Sequence, residues 1–192
     1  MRTKTKGAGP QAVVTLFLIT AVMALLLALV NGVTAEPIRR ATEEKTQKAF
    51  AAVLAPGVTL GQKLEEFQDD TGLVQAVYET SDGYVVEVAP AGYGGEIDLA
   101  VGVSGTGAVT GVAIIRHTET ASLGANAASD GAAGRRFRDQ YLGATASDSL
   151  AVTKDGGTVE ALTGATVTSR AVTKGVAAAL HCVAALEGGD AA

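Results

Sequence analysis

Cysteine, histidine and aromatic residues are scarce in this chain, and the first two shortages each close a route of chemistry. Its one cysteine, Cys182, excludes an internal disulfide and a cysteine-ligated iron–sulfur cluster built from this chain alone. The two histidines, His117 and His181, stand far apart in sequence and give little support to a zinc site. Tryptophan is absent and aromatic residues make up only 4%. Neither a G-x-S-x-G elbow nor a P-loop lysine pattern occurs, and there is no internal repeat. Positive charge is also short, with 15 Lys and Arg against 20 Asp and Glu. Three of those cations lie within the first six residues, which leaves 12 against 20, a balance of −8, on the rest of the chain. Such a surface repels a phosphate backbone, and no nucleic-acid partner is expected.

Apolar residues, by contrast, reach 47%, and the longest run of them is N-terminal. No charged residue occurs from 12 to 30. As a helix that run measures roughly 28 Å, close to the ~30 Å hydrocarbon core of a bilayer, so residues 12–30 are expected to span a membrane. The small residues Val33-Thr34-Ala35 also resemble a signal-peptidase site. The apolar run exceeds the 7–15 residues usual in a signal peptide, which favours a retained anchor. Arg2, Lys4 and Lys6 then hold residues 1–11 in the cytoplasm and place the chain beyond residue 30 outside. Residues 31–70 read as a helical linker. Its segment 36–54 sets Ile38, Ala41, Ala49, Ala52 and Val53 against a charged face, and Pro56-Gly57 ends it.

Beyond residue 70 the period changes. Segments 73–79 and 84–89 are rich in β-branched residues and flank Ser81-Asp82-Gly83, and segments 96–103 and 108–116 repeat this around Ser104-Gly105-Thr106-Gly107. Both pairs read as hairpins. Gly105, Gly107 and Gly111 are turn and strand glycines rather than a nucleotide loop, because no helix comes after them. A short surface helix is expected over 134–142, carrying Arg135, Arg136 and Arg138. Two short strands are expected over 150–153 and 158–161, around a tight turn at Lys154-Asp155-Gly156-Gly157. A helix over 168–186 comes next, with Thr168 or Ser169 as its cap and Val172, Val176, Ala179, Leu180 and Val183 on one face. Cys182 belongs to that helix and reads as a core thiol. The tail 188–192 reads as disordered. The fold class is α+β: an antiparallel sheet with flanking helices in a domain spanning 71–187, preceded by one transmembrane helix.

The stretch Leu162-Thr163-Gly164-Ala165-Thr166-Val167-Thr168-Ser169-Arg170 carries the chemistry. It puts hydroxyls and very small side chains on a turn at a helix start, where unpartnered N–H groups and the helix dipole favour an anion. A phosphate near Thr166 would be stabilised there, with Arg170 one turn onward. A Thr/Ser-rich turn before a helix is more commonly only a capping segment, and that reading stands beside the anion site.

Thr163-Gly164-Ala165-Thr166 resembles the S/T-G-A-T/S flavinylation motif of FMN-binding subunits in bacterial respiratory complexes. In that family the last Thr or Ser bears FMN in a phosphoester made by a separate flavin transferase from FAD. An acidic residue, usually Asp, stands three residues before the motif, where this chain has Glu160. A distant segment, His117-Thr118-Glu119-Thr120-Ala121-Ser122-Leu123-Gly124, resembles the family's H-x-E-T-P-G-L-G flavin-site segment, with Ala121-Ser122 in place of Pro-Gly. Together with the N-terminal apolar run and Ala89-Pro90-Ala91-Gly92-Tyr93-Gly94-Gly95, these motifs resemble the G-subunit family of Rnf electron-transport complexes. The C-type subunits of the sodium-translocating NADH:quinone reductases, usually longer, share the flavin motifs.

The resemblance implies a membrane-anchored electron carrier with covalent FMN on Thr166, part of an ion-translocating ferredoxin:NAD oxidoreductase rather than a complete enzyme. It implies steric access through Gly164 and Ala165, transferase recognition through Glu160 and Thr163, and approach of Glu119, Thr120, Leu123 and Gly124 to the flavin. Other membrane subunits and the transferase are the implied partners, and the inner membrane, with the FMN domain on its periplasmic side, is the implied location. The rival expectation is a non-redox envelope module that binds a partner protein. His117 has no orienting partner nameable from sequence and is expected in a structural hydrogen bond.

Overall fold

The computed structural model describes residues 10–189 and divides into two compact units, one ending at Glu44 and one beginning at Lys45. The expected cytoplasmic segment 1–11 lies mostly outside the described residues, as do the last three residues of the tail. Helix α1 is Pro10–Val53. It absorbs both the expected span and the expected linker helix, with Asn31 to Ala35 helical between them and Pro37 inside it. Its apolar stretch is long enough to cross a membrane and is wholly exposed. Arg39 and Arg40 pair with Glu36, and Arg39 also with Glu43, at helical spacing. The expected apolar face is shorter than its pattern: Ile38, Ala41 and Ala52 are exposed, whereas Ala49, Phe50 and Val53 are buried.

The second unit is a five-stranded antiparallel meander, β1 Leu60–Lys63, β2 Val74–Thr80, β3 Gly83–Val88, β4 Asp98–Ser104 and β5 Val109–Arg116, in that spatial order. The two expected hairpins are present, as β2–β3 and β4–β5. Alternation divides the side chains between two layers. Val86, Val88, Leu99, Val101 and Val103 face Val172, Val176, Ala179, Leu180 and Val183 of the last helix, α3, Thr166–Gly189. On the opposite face Val85, Ala100 and Ile115 pack with Ala49, Phe50 and Val53. Gly102 and Gly111 lie directly opposite each other in β4 and β5. A Cβ at Gly102 would come within 2.3 Å of the Val53 carbonyl oxygen, and one at Gly111 within 2.8 Å of Val53 Cα. The strand glycines therefore let the end of α1 settle on the sheet, where Thr110 Oγ1 donates to the Val53 carbonyl at 2.7 Å.

Four local expectations change. Strand β1 falls within the stretch read as linker; its sequence LGQK is exposed throughout and gains strand geometry only by pairing with β2. Segments 150–153 and 158–161 are not strands around a tight turn. They meet in one parallel bridge, Val152 to Val159, because the 3-10 turn Thr153–Asp155 and a left-handed Gly156 carry the chain around a full loop. Helix α2, Ala132–Asp139, is only half a surface helix, since Phe137 is buried, as is Tyr141 just beyond it, with rings packed edge to face at 5.7 Å. Burial raises the Tyr141 phenol, whose hydroxyl lies 2.9 Å from Thr173 Oγ1 on α3. The tail begins later than expected, because α3 carries Gly188 and Gly189. Cys182 is the expected core thiol, pushed by burial up to about 11.

Strands β3 and β5 run in the same direction, as alternate strands of an antiparallel meander must. The loops that leave them, Ala89 to Gly95 and His117 to Gly124, therefore open at one end of the sheet. The start of α3 arrives at that same end.

Candidate functional site

The turn ahead of α3 is built by Gly164. Its φ of 74° lets the Ala165 N–H return to the Leu162 carbonyl at 3.0 Å and starts the helix at Thr166. The helix thus begins earlier than expected, and neither Thr168 nor Ser169 is its cap. Ser169 Oγ instead accepts the Leu162 N–H at 3.0 Å and donates to the Ala165 carbonyl at 2.9 Å, locking the turn from inside.

Thr168 is spent on the other motif. Its hydroxyl donates to Oε2 of the buried Glu119, while Oε1 accepts the backbone N–H groups of Tyr93 at 2.9 Å and Gly94 at 2.8 Å. One carboxylate therefore ties together all three segments singled out in the sequence. Close packing around it requires glycine at 124, where a Cβ would lie 2.5 Å from both Glu119 Oε2 and Thr168 Oγ1. His117 takes the structural role expected of it: Nδ1 accepts the Glu119 N–H at 3.2 Å. Ser122, where the family pattern has Gly, is the one non-glycine residue of positive φ among those described, at 63°. The next residue, Leu123, lies over the turn, with Cδ2 3.0 Å from where a Cβ on Gly164 would stand.

These contacts leave a cavity of about 600 Å³, lined by Glu119, Thr120, Leu123 and Gly124 from one motif and by Gly164, Ala165 and Thr166 from the other. Tyr93, Lys154, Val167 and Thr168 complete the wall. The volume is in the range of small-molecule sites, roughly 300–1,000 Å³. Beyond Lys45, five large apolar side chains among the described residues are exposed, and three of them, Tyr93, Leu123 and Val167, line this one cavity. Apolar surface gathered beside polar groups marks a binding site better than scattered exposure does. Lys154 Nζ donates to Thr166 Oγ1 at 3.2 Å.

Two expected residues lie elsewhere. Thr163 and Glu160 line a neighbouring depression on the far side of Leu123, where Glu160 pairs with Arg136 at 3.1 Å. Gln140 holds the Glu160 backbone at both its N–H and its carbonyl. The cation expected to serve a phosphate at Thr166 is also displaced. Arg170 is engaged with both oxygens of Asp155, each at 2.6 Å, and this bond holds the Asp155 carboxyl below its ordinary value of 3.8. The other arginines singled out are likewise occupied within the chain, Arg136 by Glu160, Arg135 by the Asp130 carbonyl and Arg138 by the Ser129 carbonyl.

Tyr93, Lys154 and Val167 escaped the sequence reading as individual site residues. The adjacency of Val167 to Thr166 was a signal for one of them, and the Ala89 to Gly95 resemblance for another. Lys154 gave none, since it lies 12 residues from Thr166 and reaches it only through the loop over the parallel bridge.

The arrangement suits a phosphate-bearing aromatic cofactor. A half-buried hydroxyl sits at a helix start beside an ammonium group, and apolar side chains offer a surface for a ring system. A family model described as the FMN-binding domain matches residues 92–181. Among curated proteins, the chain is 34% identical over 181 residues to the G subunit of the Na(+)-translocating ferredoxin:NAD(+) oxidoreductase complex of Acetobacterium woodii, covering 84% of each chain. It is 32% identical over 186 residues to the G subunit of the ion-translocating oxidoreductase complex of Methanosarcina acetivorans, covering 93% of this chain and 96% of that one. A third relative, the G subunit of the proton-translocating ferredoxin:NAD(+) oxidoreductase complex of Clostridium ljungdahlii, is 45% identical over 109 residues, covering 55% of this chain and 56% of that one.

Proposed function

The chain belongs to the G-subunit family of ion-translocating oxidoreductase complexes, with an FMN-binding domain, and on that premise we propose that it is a membrane-anchored electron carrier holding FMN covalently on Thr166. The observation that carries this reading is the convergence of the Thr166 hydroxyl, the Lys154 ammonium and the exposed Tyr93, Leu123 and Val167 on one cavity. The flavin, when bound, supplies the redox chemistry.

The chain supplies placement. Thr166 Oγ1 is the attachment atom, and the small Gly164 and Ala165 leave it approachable by a flavin transferase that uses FAD. In that transfer an Oγ1–phosphorus bond forms on the FMN phosphate, the pyrophosphate bond breaks, AMP leaves and the hydroxyl proton is released. Glu160 and Thr163, on the adjacent face, are available for transferase recognition and need not touch the flavin. Glu119 holds the Tyr93 loop against the motif helix, so the ring meets a wall that is already formed. Intact mass of the native chain tests the reading: it should exceed the sequence mass by one FMN phosphoester and run as a fluorescent band in a denaturing gel. Unmodified chain from cells with a competent flavin transferase would refute it.

The partners in this reading are the other membrane subunits of a ferredoxin:NAD oxidoreductase complex, with electrons passing through the FMN domain outside the inner membrane. The N-terminal cations support that orientation by the positive-inside rule. A reporter fused after Asp190 should be active on the periplasmic side, and the mature chain should keep residues 12–30. Mature chains beginning at Glu36 would replace the anchor with a cleaved signal.

Leu123 separates ring contact from core packing. It is 42% exposed, so Leu123→Ala should cost under about 1 kcal/mol, well short of the roughly 2–5 kcal/mol of a buried truncation. Flavin fluorescence or midpoint potential of the modified variant should shift as water reaches the ring. A large fall in melting temperature with unchanged flavin properties would remove Leu123 from the site.

A further inference from the structure

Resting on the covalent reading above, we propose that Lys154 is the positioning residue that holds the phosphodiester at Thr166 and so restrains the flavin against its cavity wall. The placement of Lys154 is built by the fold. It is the middle residue of the 3-10 turn Thr153–Asp155, whose ends are fixed by Thr153 N–H on the Val159 carbonyl at 2.9 Å and Asp155 N–H on the Val152 carbonyl at 2.8 Å. The next side chain, Asp155, grips Arg170 on α3 through two hydrogen bonds, one helical turn beyond Thr166. Lys154 is therefore carried on a loop pinned to the same helix that bears the attachment residue. Arg170, the cation nearest Thr166 in sequence, is held away by this pinning.

In the unmodified chain the ammonium donates to Thr166 Oγ1 at 3.2 Å. Once Oγ1 becomes the bridging oxygen of an ester it is a poor acceptor. The two non-bridging oxygens on the attached phosphorus carry the negative charge instead, and the flexible lysine stem can track them. A charge-assisted hydrogen bond there fixes the near end of the ribityl chain. With that end fixed, fewer conformations take the ring away from Tyr93, Leu123 and Val167, and less ordering entropy opposes docking.

The test uses full-length wild type, Lys154→Ala and Lys154→Arg, made in cells with a competent flavin transferase. FMN occupancy is read by intact mass, ring accessibility by acrylamide quenching and ring motion by fluorescence anisotropy. Acrylamide is uncharged, so loss of a cation does not alter its local concentration. At equal occupancy, Lys154→Ala should raise the quenching constant about threefold, the scale expected when one exposed ion pair is lost, and lower the anisotropy. Lys154→Arg should stay near wild type, and high salt should bring wild type toward Lys154→Ala. If Lys154→Ala takes up no FMN while Lys154→Arg does, the anchor already acts during attachment. Fully loaded wild type and Lys154→Ala with the same quenching and anisotropy overturn the anchor alone, as does equal failure of both variants to take up FMN with the fold retained. Wild type without the FMN mass overturns the covalent reading itself.

Discussion

Thr166→Ala should yield a folded, membrane-anchored chain with no covalent flavin, even where the flavin transferase is abundant. The hydroxyls around the motif are not equivalent. Thr168 is buried and donates to Glu119, and Ser169 is buried between the Leu162 N–H and the Ala165 carbonyl. Thr163 is exposed but faces the neighbouring depression with Glu160. Thr166 is half-buried at the cavity, and its oxygen accepts from Lys154, a contact that costs little to replace in an exposed pair. Alanine is a strong helix former, and the change at the first residue of α3 should cost less than about 1 kcal/mol. Loss of flavin is therefore expected to be complete while the melting temperature stays within a few degrees. Thr163→Ala should lower the yield of modified chain without abolishing it. Peptide mapping that finds FMN on Thr163, Thr168 or Ser169 would show that the motif has been read in the wrong register.

The features legible in the sequence are those fixed by short-range pattern. The β-branched segments around Ser81-Asp82-Gly83 and Ser104-Gly105-Thr106-Gly107 form β2–β3 and β4–β5 because alternation and turn residues agree. The apolar stripe from Val172 to Val183 meets the sheet as its spacing implies. The two motifs converge on one cavity although more than 40 residues separate Glu119 from Thr168. What stayed hidden depends on pairings that no local pattern encodes. The segment LGQK becomes a strand only because β2 offers it an edge. Phe137 and Tyr141 look like parts of a basic surface helix until their rings are seen packed beneath it. Arg170 is nearest to Thr166 in sequence, yet Asp155 captures it, and Lys154 takes its place through a parallel bridge that two short β-branched segments do not announce.

Glu119 is the residue whose loss should reach furthest. Its carboxylate oxygens are shared by three donors from two other segments, the N–H groups of Tyr93 and Gly94 and the Thr168 hydroxyl, and Gly92 and Gly124 leave no Cβ to fill the space around them. Glu119→Ala removes every acceptor at once and leaves the buried Thr168 hydroxyl without its acceptor. The two amides lie in a loop that water can reach, so only part of their bonding is forfeited. A destabilisation of about 2–4 kcal/mol is expected from the loss of hydrogen bonds to a charged group, a large share of a domain's usual 5–15 kcal/mol. Glu119→Gln keeps the shape and one carbonyl oxygen for both amides, and its NH2 group can donate to Thr168 Oγ1 if that hydroxyl turns away. The amide variant should therefore recover more than half of the loss. Denaturant midpoints of the two variants measure the difference, and amide exchange at Tyr93 and Gly94 locates it. Faster exchange confined to that loop in Glu119→Ala would mean that the carboxylate holds the Tyr93 wall against α3. A midpoint unchanged in Glu119→Ala would mean that the three segments keep their places without it, and equal damage from alanine and glutamine would mean that an amide cannot stand in for the carboxylate.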